Sequence, residues 1–128
     1  MEVDRDSDVS RLEQETGYFE LGMFTDAWEL IETLLPDEKT EAPVLDLRLR
    51  ILTALSQWDL GEHIASLLIH AGEAEKKTVA RFYHAHARSL YESARYDDAR
   101  EAVRHAVEAW RGIQKELSDD DLKALFRT

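Results

Sequence analysis

The five histidines are the residues that could most readily hold a metal ion. His84 and His86 lie two positions apart, so on a helix they point in different directions. His63 and His70 lie seven positions apart, about 10 Å along a helix axis, which is too far for two ligands of one ion. A His-Glu-x-x-His motif is also absent from the sequence. We therefore predict no metal site.

Neighbouring carboxylates could act as a general acid and base, but here they stand in polar surroundings. Asp37 and Glu38 fall in a predicted turn, and the aspartates at 119–121 fall at a predicted helix start, where negative charge suits the helix dipole. Acid–base catalysis needs a buried carboxyl group with a perturbed pKa. The chain also has no cysteine, no glycine-rich phosphate loop and no Gly-x-Ser-x-Gly elbow. These features predict a protein that is not an enzyme and binds no cofactor.

The charge of the chain excludes further classes of function. Its 128 residues include 27 acidic and 16 basic ones, for a net charge of -11. A general nucleic-acid binder needs a basic face, which this balance argues against. No apolar run reaches the roughly 18 residues of a membrane span, and the first residues lack the pattern of a signal peptide. We expect a cytoplasmic protein that contacts neither nucleic acid nor membrane.

Apolar residues recur at intervals of three and four along most of the chain. A clear example is the series Leu45, Leu49, Leu52 and Leu55. This spacing is typical of amphipathic helices, and no segment alternates as a strand would. The sequence therefore predicts an all-α fold. The predicted helices span residues 8–21, 26–35, 43–57, 59–71, 75–93, 97–115 and 119–127.

Polar residues and breakers predict where these helices begin and end. Thr25, Asp59 and Asp97 are predicted N-caps, because their side-chain oxygens can accept from free amides of the first turn. Pro36 is predicted to end the second helix, and Gly72 the fourth.

An aromatic residue followed three positions later by a small residue occurs three times. The pairs are Phe24 with Ala27, Trp58 with Gly61, and Tyr96 with Ala99. Alignment on these pairs also matches three small residues in the predicted turns, Gly22, Ser56 and Ala94. The two intervals are 34 and 38 residues, and we expect the four extra residues to lengthen a turn near 72–77. We also expect the aromatic residues to be buried between units, so that truncating Phe24 or Tyr96 costs about 3–5 kcal/mol.

A 34-residue period made of two helices resembles the tetratricopeptide repeat. The resemblance rests on Tyr18, Leu21, Gly22, Phe24 and Ala27, and on Leu90, Ala94, Tyr96, Asp97, Asp98 and Ala99. It implies a small three-repeat protein of the bacterial type, folded as a right-handed α-solenoid of three antiparallel helix pairs. The repeats would be approximately residues 8–41, 42–75 and 76–113, with a capping helix at 118–128. This single domain, 8–128, would follow a disordered acidic arm at residues 1–7.

The resemblance implies that a partner segment binds a concave groove lined by the first helix of each pair. The residues predicted to face this groove are Phe19, Asp46, Arg50, Arg81, His84, Arg88 and Tyr91. The last four are spaced by three, four and three positions, so they share one helix face. Residues 1–64 carry a net charge of -11 and residues 65–128 a net charge of zero. The basic face therefore suits an acidic partner segment, unless it is only a solvated surface.

Two functions remain open from the sequence. The first is a non-catalytic adaptor or scaffold that binds a partner protein or peptide in the groove. The second is a structural repeat that associates with itself, for example as a homodimer, through its terminal helix or an exposed repeat edge. The apolar residues that favour this alternative are Leu117, Leu122, Leu125 and Phe126.

Overall fold

The computed structural model describes residues 12–118 and residue 122, and all regular structure in this part of the chain is helical. This confirms the all-α fold. The helices are α1 (residues 12–20), α2 (Phe24–Glu32), α3 (Pro36–Lys39), α4 (Ala42–Ala54), α5 (Trp58–Leu68), α6 (Glu73–Glu92), α7 (Tyr96–Ala109) and α8 (Ile113–Ser118). The long helix α6 packs on α4, α5, α7 and α8, while α2 packs on α4. None of the described helices is long and apolar enough to cross a membrane.

One turn geometry recurs in the three helical hairpins α1–α2, α4–α5 and α6–α7. Gly22, Ser56 and Ala94 adopt left-handed backbone conformations, with φ of 78°, 56° and 61°. In each turn the next amide donates a hydrogen bond of 2.8 or 2.9 Å to the carbonyl five positions before it. This is the Schellman pattern, which ends one helix and re-aims the chain. The hairpin therefore repeats at the predicted intervals of 34 and 38 residues.

The second helix of each hairpin starts without a polar side-chain cap. The residues at the cap positions are Met23, Gln57 and Arg95, and none of them forms a side-chain capping hydrogen bond. The predicted caps Thr25, Asp59 and Asp97 are therefore wrong. The reason is that the Schellman turn leads into the next helix so directly that the aromatic residue is already its first residue.

The small member of each aromatic–small pair lies in the core. Ala27 and Ala99 are fully buried, and Gly61 is buried as well. Gly61 faces the ring of Phe82, so a β-carbon built on Gly61 would lie only 2.7 Å from the Phe82 Cζ atom. The absence of a side chain at Gly61 is therefore what lets α5 approach α6 so closely.

The aromatic members of the pairs are buried to different degrees. The ring of Trp58 packs on α6, with its centroid 5.8 Å from that of Phe82, and Phe24 is partly buried, 5.4 Å from Phe19. Tyr96 is 50% exposed, so the prediction that it is a buried residue is wrong. In the described chain no further hairpin follows α7.

The longer second interval comes from longer helices and not from a longer turn. Helix α6 has 20 residues and α4 has 13, and α5 has 11 residues and α2 has 9. The connection at 69–72 is shorter than that at 33–41. Gly72 is the N-cap of α6, and α5 already ends at Leu68, so the prediction that Gly72 ends the fourth helix is wrong. Pro36 likewise does not end α2. It is the first residue of α3. Proline is tolerated there because the amide groups of a first helical turn have no partner within the helix.

The C-terminal part departs from the single predicted helix at 97–115. Helix α7 ends at Ala109, and a separate short helix, α8, begins at Ile113. Leu117 of α8 and Leu122 are fully buried against α6 and α7. These two leucines are therefore not exposed for self-association. Leu125, Phe126, the arm at 1–7 and nearly all of the predicted capping helix at 118–128 lie outside the described residues.

The left-handed conformation of Ala94 yields a stability prediction. A β-carbon in this region costs roughly 1 kcal/mol, and glycine avoids that cost. We expect Ala94→Gly to raise the free energy of unfolding by about 0.5–1 kcal/mol in urea titrations. The matched control is Ser93→Gly, because Ser93 has a φ of -89° and gains nothing from glycine. An equal or larger gain at Ser93 would contradict the assigned turn geometry.

Candidate partner-binding groove

The first helices of the three hairpins line one side of the molecule together. A cavity of about 460 Å³ lies between α1, α4 and α6. Its lining consists of Leu12, Thr16, Pro43, Asp46, Leu47, Arg50, Ala74, Glu75, Thr78 and Arg81. The three helices therefore contribute side chains to a common surface.

A second cavity, of about 420 Å³, continues this surface along α6. Its lining consists of Thr53, Ser56, Trp58, Arg81, His84, Ala85, Arg88, Ser89 and Glu92. Arg81 lines both cavities, so the two are neighbours along the same helix face. We call the surface formed by the lining residues of these two cavities the first-helix groove.

Arg50 is held in the groove by two neighbours. Its guanidinium lies 4.9 Å from the ring centre of Phe19, and its Nη1 atom lies 3.7 Å from a carboxylate oxygen of Asp46. The Thr78 hydroxyl donates a hydrogen bond to the other oxygen of Asp46. These contacts join α1, α4 and α6 and fix the guanidinium between the first and second hairpins.

Arg81 links the groove to the C-terminal helix. Its Nη2 atom lies 3.3 Å from a carboxylate oxygen of Glu116, and its guanidinium lies 5.7 Å from the Trp110 ring. The Arg81 side chain is nevertheless 57% exposed. An exposed pair of this kind contributes about 0–1 kcal/mol, so a ligand carboxylate could compete for the guanidinium.

The structure brings five of the seven predicted groove residues together, namely Asp46, Arg50, Arg81, His84 and Arg88. Phe19 reaches the groove through its contact with Arg50. Tyr91 does not line either cavity. It stands 36% exposed with its ring 5.3 Å from that of Tyr96, at the end of the third hairpin.

Thr78 is a groove residue that the sequence prediction missed. It lies three positions before Arg81 on α6, and this spacing places the two residues on the same helix face. Its role is visible only through its hydrogen bond to Asp46 in another hairpin.

The first-helix groove is electrically balanced within an acidic chain. Its lining holds three guanidinium groups, Arg50, Arg81 and Arg88, and three carboxylates, Asp46, Glu75 and Glu92. Since the whole chain carries -11, the positive groups are concentrated on this side relative to the rest. Arginine forks match carboxylate geometry through paired hydrogen bonds. The groove as a whole carries no net charge, but the exposed guanidinium of Arg81 can pair with a ligand carboxylate.

Within residues 12–118 and 122, no group of three or more His, Asp or Glu side chains is arranged to hold a metal ion.

Burial lowers the pKa of Arg48, whose guanidinium lies over Trp28 and donates to the Lys39 carbonyl at 3.2 Å. The nearby charge of Glu32 acts in the opposite direction. This arginine is a structural link between α4 and the preceding segment.

The chain was compared with protein families, curated proteins and solved structures. It matches no family model, and neither a curated protein nor a solved structure is significantly similar to it.

Proposed function

We propose that this protein is a non-catalytic interaction module that binds a segment of a partner protein in the first-helix groove. One observation carries the proposal: side chains from α1, α4 and α6 line one continuous surface that presents Arg50, Arg81 and Arg88. Grooves between helices are a common way of binding peptide segments.

The repeat geometry supports a more detailed form of this proposal. The three hairpins are tetratricopeptide-type units stacked as a right-handed solenoid, and the first-helix groove is its concave face. Support comes from the recurring left-handed turn and from the buried small residues at 27, 61 and 99. Stacked repeats of this kind create extended binding surfaces.

The exposed guanidinium of Arg81 supports an acidic partner segment. The guanidinium of Arg81 is held by a weak surface ion pair with Glu116 and by its contact with the Trp110 ring, so a carboxylate of the partner can replace Glu116. The alternative, self-association through the terminal helix, has less support because Leu117 and Leu122 are fully buried.

Affinity capture from the native cell extract tests the proposal, with the double variant Arg81→Glu/Arg88→Glu compared with wild type. We expect a partner that wild type captures and the double variant loses by about tenfold or more. The matched control is Arg100→Glu/Arg111→Glu, which changes the net charge equally at exposed positions outside the groove. Equal capture by both double variants would contradict the proposal. A wild-type dimer in light scattering that is also lost in the groove variant would favour self-association.

A further inference from the structure

A second cleft lies on the opposite side of α6. Tyr83, His86 and Leu90 of α6 line it, and at 100° per residue they lie about 180° around the helix from the Arg81–Arg88 face. Its walls are α5 and α7, which both pack on α6. We call this surface, which runs between α5 and α7, the α5–α7 cleft.

The α5–α7 cleft has an acidic end and an apolar end. The acidic end is a cavity of about 310 Å³, lined by Trp58, Asp59, Glu62, His86, Leu90, Arg95, Asp98, Glu101, Ala102 and His105. The apolar end is a cavity of about 210 Å³, lined by Ala65, Ser66, Ile69, Val79, Tyr83, His105, Glu108 and Ala109. His105 lines both cavities, so they are adjacent.

The charges of the α5–α7 cleft are strongly one-sided. Its lining holds five carboxylates, Asp59, Glu62, Asp98, Glu101 and Glu108, and one guanidinium, that of Arg95. Arg95 is engaged with Asp98 at 2.8 Å, and Glu101 pairs with Arg104 at 2.9 Å and lies 3.5 Å from His105. The carboxylates of Asp59 and Glu62 form no side-chain ion pair or hydrogen bond within the described residues, and both lie near His86. The acidic end of the cleft, which holds four of these five carboxylates, is therefore complementary to a cation.

An aromatic platform lies beside these carboxylates. The rings of Trp58 and His86 are stacked at 4.8 Å with an interplanar angle of 14°. Burial lowers the pKa of His86, against the opposing effect of Glu62, which favours the neutral imidazole that does not repel a cation. Burial also raises the pKa of Tyr83, with a further contribution from Glu62, so the phenol stays uncharged at the apolar end.

We infer that the α5–α7 cleft binds a basic segment of a second partner protein, with an arginine over Asp59 and Glu62 and an apolar side chain in the apolar end. Arginine fits because it pairs with carboxylates and stacks on aromatic faces. Along α5 the two ends are separated by about 10 Å, as measured from residues 59–62 to residues 65–69. In an extended segment this distance corresponds to about three residues between the arginine and the apolar side chain.

A synthetic peptide tests this inference directly. The probe is a fluorescein-labelled ten-residue peptide with two adjacent arginines and a phenylalanine three positions after the second. Two counterparts carry glutamates in place of the arginines or serine in place of the phenylalanine. We expect saturable one-to-one binding of the probe in fluorescence anisotropy, and binding weaker by about tenfold or more for both counterparts. Equal binding of the probe and of the counterpart with serine in place of phenylalanine would overturn the inference, because it would report only non-specific attraction to an acidic protein.

Variants of the protein locate the binding. Glu62→Lys/Glu101→Lys removes two cleft carboxylates, and Ser66→Trp fills the apolar end from an exposed position. Both are expected to weaken binding about tenfold. The matched control, Glu20→Lys/Glu29→Lys, makes the same change in net charge on α1 and α2, and is expected to weaken it less than threefold. Equal loss in the control, or a wild-type dimer that only the cleft variants disrupt, would overturn the assignment to a basic partner segment.

Discussion

Replacing Phe82 with alanine is expected to lower the free energy of unfolding by about 3–5 kcal/mol. Phe82 is fully buried, and its ring centroid lies 5.8 Å from that of Trp58 and 5.0 Å from that of Tyr83. It packs in the cluster shared by α4, α5 and α6, so it joins the second hairpin to the third. Small domains are stable by only about 5–15 kcal/mol, so this single loss is a large part of the total. Urea titration followed by tryptophan fluorescence measures it.

The control for Phe82 is Tyr96, the most exposed aromatic of the three pairs. Because Tyr96 is 50% exposed, Tyr96→Ala is expected to cost about 1 kcal/mol or less. If Phe82→Ala leaves too little folded protein to measure, Phe82→Leu gives the milder loss of about 1–1.5 kcal/mol. Equal costs for Tyr96→Ala and Phe82→Ala would contradict the hairpin packing described here.

Replacing Gly61 with alanine is expected to destabilise the protein, although alanine is the better helix former. The helix-propensity gain is about 1 kcal/mol. The new β-carbon meets the edge of the Phe82 ring, and overpacking of this kind costs about 1–3 kcal/mol. The steric cost therefore outweighs the gain, and Gly61→Ala should lower the midpoint of urea unfolding.

Making the same Gly61→Ala change in a Phe82→Leu variant tests whether the Phe82 ring causes the loss of stability. Phe82→Leu removes the Cε1 and Cζ atoms that the new β-carbon meets. In that background Gly61→Ala should stabilise the protein, by up to about 1 kcal/mol. Gly17→Ala in α1 is the matched control, because nothing lies within 4 Å of its β-carbon position, and it should stabilise the wild type. A stabilising Gly61→Ala in the wild type would show that α5 does not approach α6 as described.

The repeat could be predicted because its signals are local. The aromatic–small pairs and the small turn residues Gly22, Ser56 and Ala94 mark three turns that indeed share one backbone geometry. The caps could not be predicted from polar residues, since backbone hydrogen bonds of the turn replace them. The exposure of Tyr96 also depends on the next hairpin and not on its own segment, and in the described chain no hairpin follows α7.

The two candidate binding surfaces differ in how far the sequence indicates them. Helical spacing along α6 predicts that Arg81, His84 and Arg88 share a face, and the structure agrees. The contact of Arg81 with Glu116 joins segments 35 positions apart, so no local pattern predicts it. The α5–α7 cleft likewise needs two separate helices. Its local signals were pairs of acids three positions apart, at 59 and 62 and at 98 and 101, which share a face on their helices.

The most direct test of the proposed function is a cross-link between the groove and its partner. A photo-reactive phenylalanine derivative replaces Ser89, which lines the first-helix groove, or Glu29, which is exposed on α2 outside it. After irradiation in native cell extract, we predict a discrete cross-linked species from position 89 that disappears in the Arg81→Glu/Arg88→Glu background. The absence of such a species, or the same species from position 29, would contradict a partner bound in the first-helix groove.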